Sequence, residues 1–98
     1  MYGGMNRAVV EVIYTDEFGE WYDTLDAQVS SAVDHKVEML ARFGVTLGYP
    51  HSSAVHGSTY GLRELRVQRA IRVLYTFDPR RDALLLIGRR QVRRCDLL

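Results

Sequence analysis

Three runs dense in Leu, Val, Ile, Tyr and Phe follow one another between residues 62 and 87, at 62–68, 71–77 and 83–87. The breaks between them, Arg69-Ala70 and Asp78-Pro79-Arg80-Arg81-Asp82, are short enough only for hairpins. That spacing predicts three consecutive antiparallel strands. Arg63, Arg66 and Arg72 lie inside the runs, where side chains alternate between faces, so some of them must stand opposite the core. The result is a sheet with one apolar and one basic face. A basic face calls for a polyanion, and RNA is the leading candidate.

The charge distribution agrees. The formal net charge is only +1, but residues 1–60 carry three basic against eight acidic side chains, whereas residues 61–98 carry ten arginines against four acids. The C-terminal part is therefore a basic surface and the N-terminal part an acidic one. All ten basic residues there are Arg, which suits forked contacts to phosphate and equally fits a GC-rich coding sequence. A chain of 98 residues with 47% apolar side chains is expected to form a single domain, residues 1–98, without staples. The lone Cys95 makes no internal disulfide, and no leader pattern opens the chain, so the expected location is the cytoplasm. No membrane span is expected, because the apolar run at 83–87 is far too short. One Cys and three scattered His give no metal-ligand spacing, and no cofactor is called for.

Upstream of the three runs, residues 1–7 read as a frayed start and residues 8–14 as a strand rich in β-branched side chains. Thr15 reads as an N-cap, with Asp16 and Glu17 in the first helical turn, and Phe18, Trp21, Tyr22 and Leu25 make an inner stripe over residues 16–25. Asp26 caps a second helix, in which Val29, Val33, Val37, Leu40 and Phe43 recur at helical spacing until Gly44 ends it. His35 lies off that stripe, facing solvent. Residues 45–61 hold three glycines, a proline and two histidines with no apolar period, and read as a long loop. The expected fold is α+β: an N-terminal strand, a two-helix hairpin and a three-stranded antiparallel run, forming one sheet packed on the helices.

That order, with Thr15-Asp-Glu-Phe, Leu47-Gly-Tyr-Pro, His56-Gly-Ser, Leu62-Arg-Glu-Leu-Arg, Arg72-Val-Leu-Tyr and Phe77-Asp-Pro-Arg-Arg, resembles the RelE/ParE superfamily of bacterial toxins. It is most similar to the HigB-type branch with its phage-derived relatives. The resemblance runs over about residues 8–90 and is most specific between Leu62 and Arg81. It implies the toxin of a type II toxin-antitoxin system: a small metal-independent ribonuclease that cuts mRNA on the ribosome and is silenced by a cognate antitoxin, typically a helix-turn-helix protein. It also implies that Arg66 and Arg72 act at the scissile phosphate, and it loosely matches Arg89 and Arg90 to a basic segment that follows Gly88. Relatives continue into an element that supplies an aromatic residue or a His. Residues 89–98 here are atypical, as if truncated. Two alternatives therefore stand beside the nuclease: a ParE-like gyrase inhibitor, and a catalytically impaired relative that only binds its antitoxin.

The chemistry can be stated from the residues. RNA cleavage by the neighbouring 2′-hydroxyl needs a proton removed there, charge stabilised on the phosphorane and a proton supplied to the leaving 5′-oxygen. A guanidinium fork meets the second need. Arginine stays protonated at physiological pH, so the proton must be handled by another group, and His56, just before the basic strand, is the candidate over His51. Tyr60 is a candidate to stack on a base, and Arg63 to bind RNA with Arg66, Arg89 and Arg90. Tyr75 reads as core, and Arg80 and Arg81 as solvated turn residues. An antitoxin that silences such a face would cover it with a segment rich in Asp and Glu.

Overall fold

The computed structural model describes residues 10–68 and 70–91. Strand β1 (Val12–Tyr14) leads into helix α1 (Asp16–Asp23), helix α2 (Ala27–Phe43) and a 3-10 turn at Gly44–Thr46. Strands β2 (Ser52–Ala54), β3 (Arg63–Arg66), β4 (Ile71–Phe77) and β5 (Ala83–Arg90) follow. The sheet order is β1-β5-β4-β3-β2, antiparallel except where β1 runs parallel to β5.

The helix boundaries come from local chemistry. Thr15 Oγ1 accepts from Phe18 N at 3.0 Å and donates to Leu86 O at 2.6 Å, so a single hydroxyl caps α1 and ties it to β5. Asp26 caps α2 by accepting from Val29 N at 2.9 Å. Gly44 closes α2 at φ 56°, in the left-handed region open to glycine. Phe18, Val33 and Leu40 then pack against Leu65, Ile71, Val73, Tyr75, Ala83 and Leu85 from one sheet face. Every second residue of β4 enters that core, which is the two-residue period read from the sequence.

Three sequence-based expectations need correction. The supposed loop at residues 45–61 contains β2, which pairs with β3 and makes the sheet five-stranded. Its three residues, Ser-Ser-Ala, carry no apolar period because Ser52 enters the core as a polar group: it is fully buried, and its Oγ is hydrogen-bonded to the Tyr75 hydroxyl and to Arg63 Nε. The last strand runs on to Arg90 instead of ending at residue 87. Gly88 makes this continuation possible, since a Cβ there would overlap the ring of Trp21 on α1. The first strand is short, with its described part beginning at Val12. Residues 1–9 and 92–98, and with them the expected frayed start and most of the atypical tail, lie outside the described residues.

Gly88→Ala forces Trp21 off β5 or β5 out of register. Such overpacking costs about 1–3 kcal/mol, so the urea midpoint should fall by that equivalent. A midpoint equal to that of the parent protein would refute the close approach.

Candidate functional site

Ladder register decides which arginines meet. Arg66 on β3 pairs with Arg72 on β4, and Arg72 pairs with Arg89 on β5, so three arginines form a row across three neighbouring strands on the face away from the helices. Neighbouring strands lie about 4.8 Å apart, and like charges placed directly opposite repel. Glu64, two residues back along β3 on the same face, relieves part of this by meeting Arg89 across β4 at 2.7 Å.

Arg72 is the central member and the least expected. Its sequence position predicts a side chain standing free on the solvent face, yet it is only 7% exposed. The side chain folds back against its own hairpin, with Nη1 donating to Gln68 O at 2.6 Å and to Ile71 O at 3.0 Å. Nε is buried without an acceptor among the described residues. Burial pushes its pKa below the ordinary arginine value, Arg66 and Arg89 push the same way, and Glu64 opposes them. Arg72 and Arg66 line an open hollow of about 350 Å³ together with Pro50, Val67 and Gln68.

The other expected site residues lie elsewhere. Arg63 pairs with Tyr75, which puts it on the core-side face, where its Nε donates to Ser52 Oγ at 3.0 Å. A shift of three residues along a strand reverses the face, so Arg63 and Arg66 cannot share one. His56 follows Ala54, the partner of Arg63, and so lies beyond the end of β3 opposite to Arg66. Those three residues alone span roughly 10 Å. His51 is the histidine at the arginine end: its carbonyl accepts Arg66 N at 2.8 Å, and its Nδ1 lies 2.9 Å from Lys36 Nζ. Tyr60 is held near Thr76, whose Oγ1 donates to Tyr60 O at 3.3 Å, four residues along β4 from Arg72. Arg90 pairs with Ile71 and stands one residue out of the row.

The aromatic residue beside the row is Tyr49, which the sequence reading did not select as a site residue. The Arg66 guanidinium carbon lies 5.4 Å from its ring centroid. The signal available in the sequence was the Leu47-Gly-Tyr-Pro segment, but nothing local tells that it returns to β3.

A family model described as phage derived protein Gp49-like (DUF891) matches residues 20–90. The chain belongs to that family. It is 35% identical over 79 residues to the Mycobacterium tuberculosis (strain ATCC 25618 / H37Rv) protein described as "Putative toxin HigB3", a match spanning 79% of this chain and 69% of that protein. The fold superimposes on the archaeal RelE-RelB complex from Pyrococcus horikoshii OT3 with a TM-score of 0.70 at 14% identity, covering 86% of this chain and 97% of that one. Against the toxin-antitoxin complex RelBE2 from Mycobacterium tuberculosis the TM-score is 0.66 at 17% identity, covering 84% and 98%. By sequence the chain is of the HigB type, and its fold is RelE-like. Among the described residues no helix is long and apolar enough to cross a membrane.

Because Arg72 is buried and ties down its own hairpin, Arg72→Ala should destabilise the protein. Two lost hydrogen bonds at about 0.5–1.5 kcal/mol each give roughly 1–3 kcal/mol in a urea titration. Arg66→Ala, which loses a contact on an exposed ring, should cost less than about 1 kcal/mol. Equal losses would contradict the different burial of the two side chains.

Proposed function

We propose that this chain is the toxin of a type II toxin-antitoxin pair and that it cleaves mRNA on translating ribosomes, using the RNA's own 2′-hydroxyl as nucleophile. The arginine row carries this reading: Arg66, Arg72 and Arg89 stand side by side across three neighbouring strands, and Arg66 and Arg72 line the hollow where a phosphate would sit. The names of the similar proteins, a toxin and toxins bound to antitoxins, support the biological setting.

The chemistry follows from the row. As the 2′-oxygen attacks, negative charge gathers on the two non-bridging oxygens, and guanidinium groups held by a sheet bind that state more strongly than the starting phosphodiester. Arg72 is fixed by its two backbone carbonyls, so its orientation is set before substrate arrives. Arg66 and Arg89 flank it and hold the strand on either side of the scissile bond. His51 stands at the arginine end of the sheet in place of His56. With Lys36 charged, His51 Nδ1 accepts from the ammonium and Nε2–H remains a hydrogen-bond donor, while water takes the 2′-hydroxyl proton and returns one to the leaving 5′-oxygen.

In the cytoplasm the partner would be a cognate antitoxin, with a helix-turn-helix domain for its own DNA binding. It would silence the toxin by laying Asp and Glu side chains on the Arg66–Arg72–Arg89 row.

The test is cleavage of mRNA in a translating extract, with ribosome-free RNA as comparison. The parent protein should cut inside coding sequence, and only when ribosomes are present. Arg72→Ala, assayed where circular dichroism shows it folded, should be slower by about a hundredfold or more, with Arg72→Lys between the two because it keeps the charge and loses the fork. Intact messages with the parent protein would refute the nuclease, and loss of DNA supercoiling by gyrase with RNA untouched would put a gyrase-directed toxin in its place.

A further inference from the structure

Tyr49 is 77% exposed although the backbone on either side of it is pinned. Leu47 before it is buried in the core, Ser52 after it is fully buried, and His51 N and Ser52 N both donate to Gly48 O, at 3.0 and 3.1 Å. The turn therefore holds a large aromatic ring out in solvent at a defined place, without conformational freedom to bury it. That place is the edge of the hollow: Pro50, the next residue, lines it with Arg66 and Arg72, and Arg66 packs its guanidinium on the tyrosine ring.

We propose that Tyr49 and Arg66 form a stacking platform for one unpaired nucleobase next to the phosphate held by the arginine row, so that the substrate is recognised as single-stranded RNA. The inference rests on the proposed RNA substrate and adds what form of RNA is taken. The Arg66 guanidinium lies over one face of the Tyr49 ring, and a base laid on the other face extends that stack and keeps its sugar and phosphate at the mouth of the hollow. A paired base already has neighbours on both faces and is not available for this, whereas an unpaired base is. Every base has such a face, so the platform selects strandedness and is tolerant of sequence. The more exposed Tyr60, at 82%, has no comparable role because it sits at the Thr76 end of β4, away from the row.

The probe is a single-stranded 2′-O-methyl RNA pentanucleotide containing one 2-aminopurine, which has no free 2′-hydroxyl and so is not consumed by 2′-attack. Stacking on an aromatic ring quenches 2-aminopurine fluorescence, so binding and stacking are read together. The parent protein and Tyr49→Phe should bind and quench alike. Tyr49→Ala should lose the quench and bind more weakly by between about fivefold and about a hundredfold, and Tyr60→Ala should behave as the parent. A hairpin duplex carrying the same bases should bind the parent more weakly than the single strand. Parent-like quenching and affinity in Tyr49→Ala would overturn the platform, as would equal affinity for the duplex or no RNA binding at all. If the parent quenches and Tyr49→Ala does not, yet no message is cut in the extract, the platform stands and the nuclease falls. If messages are cut and Tyr49→Ala binds like the parent, the nuclease stands and the platform falls.

Discussion

Strand β4 pairs with β3 on one side and with β5 on the other, and the register of these two ladders carries the rest of the structure. It sends Ile71, Val73 and Tyr75 into the core and Arg72 to the opposite face. A slip of one residue would exchange the two sets, burying a guanidinium against Phe18 and Leu40 and exposing three large apolar groups. Two contacts guard against that slip from opposite sides. The Tyr75 hydroxyl finds Ser52 and Arg63 only in the observed pairing, and Gly88 lies beneath Trp21 only when it faces Val73.

The same register that satisfies the core leaves the other face electrostatically strained. Three guanidiniums in a row repel, and the one ion pair found there among the described residues, Glu64 with Arg89, joins side chains 17% and 51% exposed and so contributes at most about 1 kcal/mol. The apolar face pays for this arrangement. A row of this kind is stabilised by whatever anion settles on it, so phosphate and an acidic antitoxin segment are physically interchangeable ligands for it. The acidic side chains of α1 and α2 lie in the helical layer across the core from the row, so they leave its charge nearly uncompensated at short range.

Arg72 shows how position and environment differ. Parity along the strand puts it outside the apolar core, yet the tight β3–β4 hairpin supplies two carbonyls within reach of Nη1, and the side chain lies down on them. Immobility suits a group that must meet developing charge without reorganising. Its depressed pKa expresses the same burial and crowding by Arg66 and Arg89, while Glu64 works to hold the proton on.

The helices with their caps, the two-residue period of the sheet and the division of charge were all legible in the sequence, because each depends on neighbours within a turn of helix or a few residues of strand. Thr15, Asp26 and Gly44 cap where their side chains or backbone freedom require, and Arg66 and Arg72 stand on the non-core face as alternation demands. What the sequence could not determine was which positions face one another across strands. Arg63 and Arg66 look equivalent in a row of letters, but pairing with Tyr75 makes one a hydrogen-bond donor to the core and pairing with Arg72 makes the other part of the site. Likewise His56 and Tyr60 are nearer to the basic run in sequence than His51 and Tyr49, yet antiparallel pairing of β2 with β3 carries the earlier residues to Arg66 and the later ones away from it. Antiparallel return reverses sequence proximity, and only the folded sheet decides which end of the strand holds the chemistry.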